Sequence, residues 1–431
     1  MQNHPVVTKK LVNGLTLKLK EMHSAPLISH WVWMRVGSRC EEIGKKGLSH
    51  WVEHMQFKGT SKFSSSIMDK MIAREGGVWN AFTFLDWTTY FETMPAEKID
   101  LAFDLEADRM RNSLFASEEI ESERMVIISE LEGSENEPMY RLSEAVQEAA
   151  FERHPYHYET IGTKDDLHAI TRQDLYDYYR ANYLANNAIV TLAGDFDAKQ
   201  MVKKLEDQYG NLPSGNIPDY TIEKEPEPKA EKTLDVKGPG EAVFLQIAYH
   251  APEAKDPDFF TFSVLDSLLT GPSSFNMFGG GGISNKTSRL YRKLVESSLA
   301  VSIGGGLQAT VDPFLYEITA TVHPRSKPKA VLQAVEHEIE RIKERLVSVE
   351  EVERAIKQAR ALFAYGSENI TNQAFWLGFA EMFASYDWFL HYVEELEKVT
   401  PQDIQRVAQK YLKKANRVVG TYIPSNNGGR G

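Results

Sequence analysis

His50, Glu53 and His54 are the residues whose types and spacing point most directly to chemistry. They stand within Gly47-Leu-Ser-His-Trp-Val-Glu-His-Met-Gln-Phe as an H-x-x-E-H pattern on an apparent amphipathic helix. Histidines at i and i+4 share one face about one turn apart, so both imidazoles can reach one ion. Glu53, three positions after His50, lies near that face and can approach a water at the ion. The order inverts H-E-x-x-H and keeps its helical logic, a pattern that serves metal-assisted peptide hydrolysis. The plainer alternative is a solvated helix stripe that happens to carry two histidines and a glutamate.

A third ligand has to come from elsewhere in the chain, leaving a fourth position for water. The lone cysteine, Cys40, rules out an intrachain disulfide and a multi-cysteine metal site. The segment from Ser117 to Glu135 supplies acids instead. Glu123, Ile127 and Glu130 fall at i, i+4 and i+7 on one helical stripe, and Val126 extends the apolar side. Carboxylates beside isoleucine on a face expected to be buried are costly unless a cation or metal pairs with them. By pattern either Glu130 or Glu123 fits. Glu118 and Glu119 suit a helix N-terminus, whereas Glu132, Glu135 and Glu137 read as solvated.

The elements that must position these groups come in two sets. Ile170-Thr-Arg-Gln-Asp-Leu175 precedes a helical stretch and then Asn187-Ala-Ile-Val-Thr-Leu-Ala-Gly. Val399-Thr-Pro-Gln-Asp-Ile404 precedes a similar stretch and then Asn416-Arg-Val-Val-Gly-Thr-Tyr. Thr171/Thr400, Gln173/Gln402, Asp174/Asp403 and Asn187/Asn416 share one offset, so the chain reads as a tandem duplication. Each copy predicts a helix opened by a Thr cap with an acid in its first turn, followed by a strand. The strand-like runs from Ile28 and from Ala242 open the two halves alike. A Pro/Glu/Lys-rich stretch, 214–232, has linker composition and divides a domain at 1–213 from one at 233–431. Strands mixed with long helices at Ser117–Glu135, Pro328–Leu346 and Val349–Tyr365 give an α+β class.

With 42% hydrophobic and 26% charged residues in a chain of 431, disordered, collagen-like and coiled-coil readings fall away. A net charge of −12 disfavours nucleic acid as the main partner. No run approaches a membrane span, and the first residues lack the apolar core of a secretory signal, so a cytoplasmic location is expected.

Four segments together resemble the insulinase-type zinc peptidases, family M16, and within it the mitochondrial processing peptidase and its bacterial relatives. They are Val36-Gly-Ser-Arg-Cys-Glu, Gly47-Leu-Ser-His-Trp-Val-Glu-His-Met-Gln-Phe-Lys-Gly-Thr, Gly76-Gly-Val-Trp-Asn-Ala-Phe-Thr and Glu123-Arg-Met-Val-Ile-Ile-Ser-Glu. The likeness continues through His154-Pro-Tyr, Gly162-Thr and Ala193-Gly-Asp and covers most of the chain. It implies two tandem homologous domains of the LuxS/metallohydrolase-like type, each a mixed, mainly antiparallel sheet packed with helices. It also implies one zinc ion per chain, held by His50, His54 and Glu130, the second Glu of the family's E-x6-E pattern. Glu53 is then the general base and Glu123 an acid that orients a ligand. Asn80 and Ala81 mark the strand edge where an extended peptide substrate adds. Without the resemblance, Asn80 reads as a turn residue after Gly76-Gly77.

The second half departs from the family pattern. Active members carry an Arg and a Tyr that hold substrate and stabilise the oxyanion, and here Val295 and Val301 stand at those places. Arg289 matches an ordinary structural arginine. The departure implies a heterodimer, in which this chain bears zinc and a second M16-type subunit without the zinc motif supplies the Arg/Tyr pair. The alternatives are a homodimeric or monomeric peptidase of reduced activity, or a noncatalytic assembly subunit of the same fold.

Gly279-Gly-Gly-Gly-Ile-Ser-Asn-Lys-Thr-Ser fails as a phosphate-binding P-loop, because Asn285 stands where glycine is required. It resembles a glycine-rich, substrate-contacting loop of the noncatalytic processing-peptidase subunit, with a plain connector as the alternative. His154 and His157 match a structural segment of the family, and the aromatic cluster from Phe375 to Phe389 reads as core.

Overall fold

In the computed structural model, residues 5–273 and 283–425 are described. Gly279–Gly282, the glycine run singled out in the sequence, lie outside them. The chain divides into two compact units, and neither is one continuous stretch. The first comprises Met1–Leu131, Tyr158–Ile222 and Glu368–Tyr386, and the second Glu132–His157, Glu223–Ser367 and Asp387–Gly431.

Six strands build the first unit's sheet: β1 (Val7–Lys10), β2 (Thr16–Glu21), β3 (Leu27–Met34), β4 (Val78–Thr83), β5 (Thr88–Pro95) and β6 (Ala188–Gly194). Their order is β1-β2-β6-β3-β5-β4, with β2 and β6 parallel and the other pairs antiparallel. The second unit holds β7 (Lys232–Gly238), β8 (Phe244–His250), β9 (Ala300–Leu307), β10 (Leu315–Val322) and β11 (Arg417–Pro424). These run β7-β11-β8-β10-β9, again with one parallel pair, β7 with β11, at one end. Apart from β1, the two sheets have the same order and polarity. The duplication read from the Thr and Asp signatures therefore extends to topology.

Those signatures do what their chemistry predicts. Thr171 and Thr400 open the helices Arg172–Asn182 and Pro401–Tyr411, each with a reciprocal capping box to Asp174 or Asp403. The helices then lead into β6 and β11, the corresponding strands. The aromatic segment from Phe375 forms the core of the first unit. In the helix Ile370–Phe383, Phe375 meets Trp31 and Trp33 edge-on at 5.5 Å, and Phe379 stacks on Phe375 at 4.8 Å. Gly378 lets this helix sit against the sheet, because a Cβ there would overlap the Trp33 indole. The helix Pro138–Ala150 covers the second sheet in the same manner, with Leu142 and Val146 against Gly420 of β11. Each half of the sequence thus contributes one helix to the unit built mainly from the other half.

Candidate metal centre

The motif helix, Leu48–Met55, is anchored through a stripe at i, i+3, i+4 and i+7: Leu48, Trp51, Val52 and Met55 are all buried. Gly47 precedes it with φ 96°, a left-handed conformation that favours glycine, and offers no side-chain cap. Glu41 supplies one from a distance. Its carboxylate accepts the Gly47 N–H at 2.8 Å and the Ser49 N–H at 2.6 Å, while the Lys46 ammonium bonds its carbonyl. Burial pushes the Glu41 carboxyl up to about 7, against the pull of those amides and of Lys46. Nothing in its spacing from His50 betrayed this role in the sequence.

The acid helix, Ser117–Glu135, packs through Ile120, Glu123, Ile127, Ile128 and Leu131. Two expectations for it need correcting. Val126 does not extend the apolar side but is 47% exposed, and the Glu130 side chain, instead of being buried with Glu123, is 47% exposed. The buried stripe tilts toward Ile120 and Leu131, which leaves Glu130 at its wet edge.

Packing brings the two helices' functional groups together. Nε2 of His50 lies 3.8 Å from one carboxylate oxygen of Glu130, and Nε2 of His54 lies 3.6 Å from the other. One ligand atom from each of His50, His54 and Glu130 falls within 4.8 Å of the others. Glu123 lies behind them: its Oε1 bonds Nδ1 of His54 at 2.8 Å, and its Oε2 pairs with the Lys58 ammonium. Glu53 is buried, and its Oε2 accepts the Thr83 hydroxyl at 2.7 Å.

The charge balance of this cluster suits a dication. Burial holds His50 down to about 3, with His54 adding to the effect, so its imidazole is neutral with a lone pair to give. For His54 burial works the same way, but the bond to Glu123 and the charges of Glu53, Glu123 and Glu130 outweigh it and raise its pKa. Burial pushes Glu53 up to about 7, with the Thr83 bond and His54 opposing. Burial likewise disfavours Glu123 as an anion, yet its bonds to His54 and Lys58 bring its pKa below the usual range. Three carboxylates stand around two imidazoles, with the Lys58 ammonium paired to Glu123, and a bound dication would favour the ionised carboxylates and neutral imidazoles that serve as donors. Two histidines and a carboxylate form a zinc-type donor set, so the residues present fit that ion.

Asn80 and Ala81 lie in β4, not in a turn, and among the described residues β4 ends the sheet with β5 as its one partner. Alternation along β4 sends Trp79, Ala81 and Thr83 to one face. That face carries the Thr83 bond to Glu53 and the Trp79 contact with Phe57 at 4.7 Å. Asn80 turns its Oδ1 onto the Ala81 N–H at 2.9 Å.

Below this platform is a buried network that sequence reasoning missed. The Arg109 guanidinium lies 4.5 Å from the Tyr90 ring centroid, 5.1 Å from that of Phe57 and 5.5 Å from that of Trp79. It bonds Glu106 and, at 3.4 Å, Glu92, whose other oxygen meets His30 at 3.0 Å. Glu106 and Arg109 are i and i+3 on the helix Asp100–Asn112, but Glu92 on β5 and His30 on β3 lie far from them in sequence, so no local pattern connects the whole network.

In the second unit the other candidates take structural roles. His154 pairs with Asp312 at 3.1 Å, and His157 bonds the Phe151 carbonyl. Arg289 bonds both oxygens of Glu351, and Asn285 bonds the Ile303 carbonyl. Val301 is exposed on β9.

A duplicated α+β chain that sets a His-x-x-Glu-His helix against a distal helical carboxylate has the build of the inverted-motif metallopeptidases. Comparison with known proteins identifies the family. The profile "Insulinase (Peptidase family M16)" matches residues 18–164, and "Peptidase M16 inactive domain" matches 169–359. The chain is 28% identical over 425 residues to the zinc protease PqqE of Helicobacter pylori, covering 96% of this chain and 91% of that one. It is 27% identical over 408 residues to the mitochondrial-processing peptidase subunit beta of Lentinula edodes, covering 93% and 86%. The crystal structure of a protease from Helicobacter pylori superposes with a TM-score of 0.90 at 25% identity, covering 98% of this chain and all of the other. The chain belongs to peptidase family M16. Among its described residues, no helix is long and apolar enough to cross a membrane.

Proposed function

We propose that this chain is a zinc-dependent endopeptidase acting on extended or unstructured peptides, with His50, His54 and Glu130 holding one zinc ion. The observation that carries the reading is the meeting of those three side chains beside a buried Glu53. When bound, zinc would supply a Lewis acid for the scissile carbonyl and would acidify a water. Thr83 occupies Oε2 of Glu53, leaving Oε1 to take the proton from the attacking water. Glu53 then passes that proton to the nitrogen of the departing amine. Glu123 orients His54 through Nδ1. A peptide would add along the free edge of β4 at Asn80–Ala81, exchanging with the local Asn80 bond. Gripping backbone in this way tolerates many sequences.

Val295 and Val301 support partner dependence. The family's oxyanion-stabilising Arg and Tyr are missing from this chain, and removing donors of that kind costs about 10²–10³ in rate. Our reading is therefore the zinc-bearing subunit of a heterodimer, a division supported by likeness to a processing-peptidase beta subunit. The test is cleavage of quenched, unstructured peptides by the zinc-quantified chain, with Glu53→Gln as control. Stoichiometric zinc with slow turnover that Glu53→Gln abolishes supports the reading. Fast turnover by the isolated chain removes the need for a partner. Absence of stoichiometric zinc favours a noncatalytic assembly subunit.

A further inference from the structure

Lys58 stands just beyond the motif helix, where it faces the side of Glu123 turned away from His54. The Glu123 side chain is 5% exposed, and an ionised carboxylate so deeply placed needs a partner of opposite charge. Neighbouring cations are committed elsewhere. Arg124 bonds Glu121 and the carbonyls of Leu167 and Ile170, and Arg109 bonds Glu106 and Glu92. The Lys58 ammonium meets Oε2 of Glu123, while Oε1 meets Nδ1 of His54 at 2.8 Å. A carboxylate accepting at Nδ1 holds that nitrogen as the proton-bearing one and leaves the Nε2 lone pair toward Glu130.

We propose that Lys58 is a positioning residue for the metal: its ammonium fixes the Glu123 carboxylate, which in turn fixes the ring orientation and tautomer of His54. This inference rests on the zinc reading above and adds a residue that touches neither metal nor substrate. Lys58→Met removes the charge and keeps much of the stem. It leaves Glu123 without its cation and His54 free to turn or to change tautomer. The expected result is zinc affinity weaker by about 10–100-fold, the range for loss of an outer partner of a metal ligand. Lys58→Arg should recover most of it.

The experiment is competition for zinc against chelators of graded strength at fixed pH, on the full chain. It compares wild type, Lys58→Met, Lys58→Arg, Glu123→Gln and the Lys58→Met/Glu123→Gln double variant. Near-ultraviolet circular dichroism of the metal-free proteins reports their packing, and Lys58→Gln replaces Lys58→Met if the latter does not fold. A lysine acting through Glu123 loses its effect once Glu123 is Gln, so the two losses should be strongly non-additive. Wild-type affinity in Lys58→Met, or losses that simply add, would overturn the proposal while leaving the zinc site standing. A wild type that binds no zinc would overturn the zinc reading itself and this proposal with it.

Discussion

The two units share a sheet order and differ in the helix that comes after the strand beside the parallel pair. After β3, the first unit sends out a short helix that keeps His50 and His54 partly accessible on one side, at 13% and 19% exposure, while burying Trp51 and Met55 on the other. After β8, the second unit sends out Asp258–Leu269, buried along nearly its whole length and studded with Phe259, Phe262 and Leu265. Among the described residues, the three-ligand cluster occurs only in the first unit. One scaffold thus carries two outcomes: a helix anchored along one stripe and partly open on the other brings candidate metal ligands together, and a helix wrapped by its unit serves for packing. The fold licenses a site at that place, and side-chain chemistry decides whether one is there.

The sharpest way to break this contrast is to remove the chemistry from one helix and a charge from the other. Glu53→Gln should lower turnover by about 10²–10⁴, the usual contribution of a positioned general base, with zinc content unchanged. Asp258→Asn removes a carboxylate that pairs with Arg406 and Lys410 at 2.7 Å. It should leave turnover at wild-type level in peptide assays run below the melting temperature. A comparable loss of turnover in both variants would mean that the second unit's helix takes part in catalysis after all.

Next in size is the charge buried under the site. Arg109→Leu leaves Glu92 and Glu106, both fully buried, without their cation. Breaking one side of such a network costs about 3–5 kcal/mol, which calorimetry would register as early melting of the first unit. The second unit holds its buried Asp266 with hydroxyls instead, from Thr270 and Ser273 at 2.6 Å, so Asp266→Asn should cost far less. Equal costs would mean that hydroxyl pairing and ion pairing weigh the same in these two cores.

A smaller effect tests the link between strand edge and base. Thr83→Val keeps the shape of β4 and removes the bond to Glu53. Losing a hydrogen bond to a charged group costs about 1.5–3 kcal/mol, so kcat should fall by roughly 10–100-fold while KM stays nearly constant. Thr83→Ser should restore it. A rise in KM alone would instead make Thr83 a substrate contact.

The features that could be read in the sequence had local signatures. The H-x-x-E-H spacing fixes a helix face, and a Thr followed three residues later by Asp fixes a helix start in both halves. Long-range pairings left no such trace. Glu41 reaches Gly47 and Ser49 across a loop, and Arg109 reaches Glu92 on β5. The reciprocal helices Pro138–Ala150 and Ile370–Phe383 pack on the sheet of the opposite half, although the aromatic face of the second had read plainly as core. Periodicity says that a face is buried and is silent on which sheet buries it. Glu130 misled in the other direction, because the heptad-like spacing with Glu123 and Ile127 cannot tell the middle of a buried stripe from its wet edge.

The finest comparison lies in the two capping boxes. Thr171 and Thr400 accept from the amides of Asp174 and Asp403 at the same distance, 3.2 Å, and both lie exposed. On capping alone, Thr171→Ala and Thr400→Ala should each cost about 1 kcal/mol. The acids differ in their other partners. Asp403 reaches Arg406 in its own helix at 3.7 Å, whereas Asp174 reaches Lys45 at 2.7 Å, in the loop that delivers the motif helix. Partial burial raises the Asp174 carboxyl, but Lys45 and Thr171 hold it down to about 2. Its share of stability is therefore complete above the ordinary aspartate range and lost as pH falls through about 2. Thr171→Ala loosens Asp174 and so slackens the Lys45 tether, which should add a small loss of zinc affinity that Thr400→Ala does not show. An exposed pair of this kind is screened by salt, so the difference between the two variants should close in about 1 M sodium chloride. A difference that persists there would mean that the first copy's box matters to the metal centre through packing of Leu175 and Tyr178, and not through the charge on Asp174.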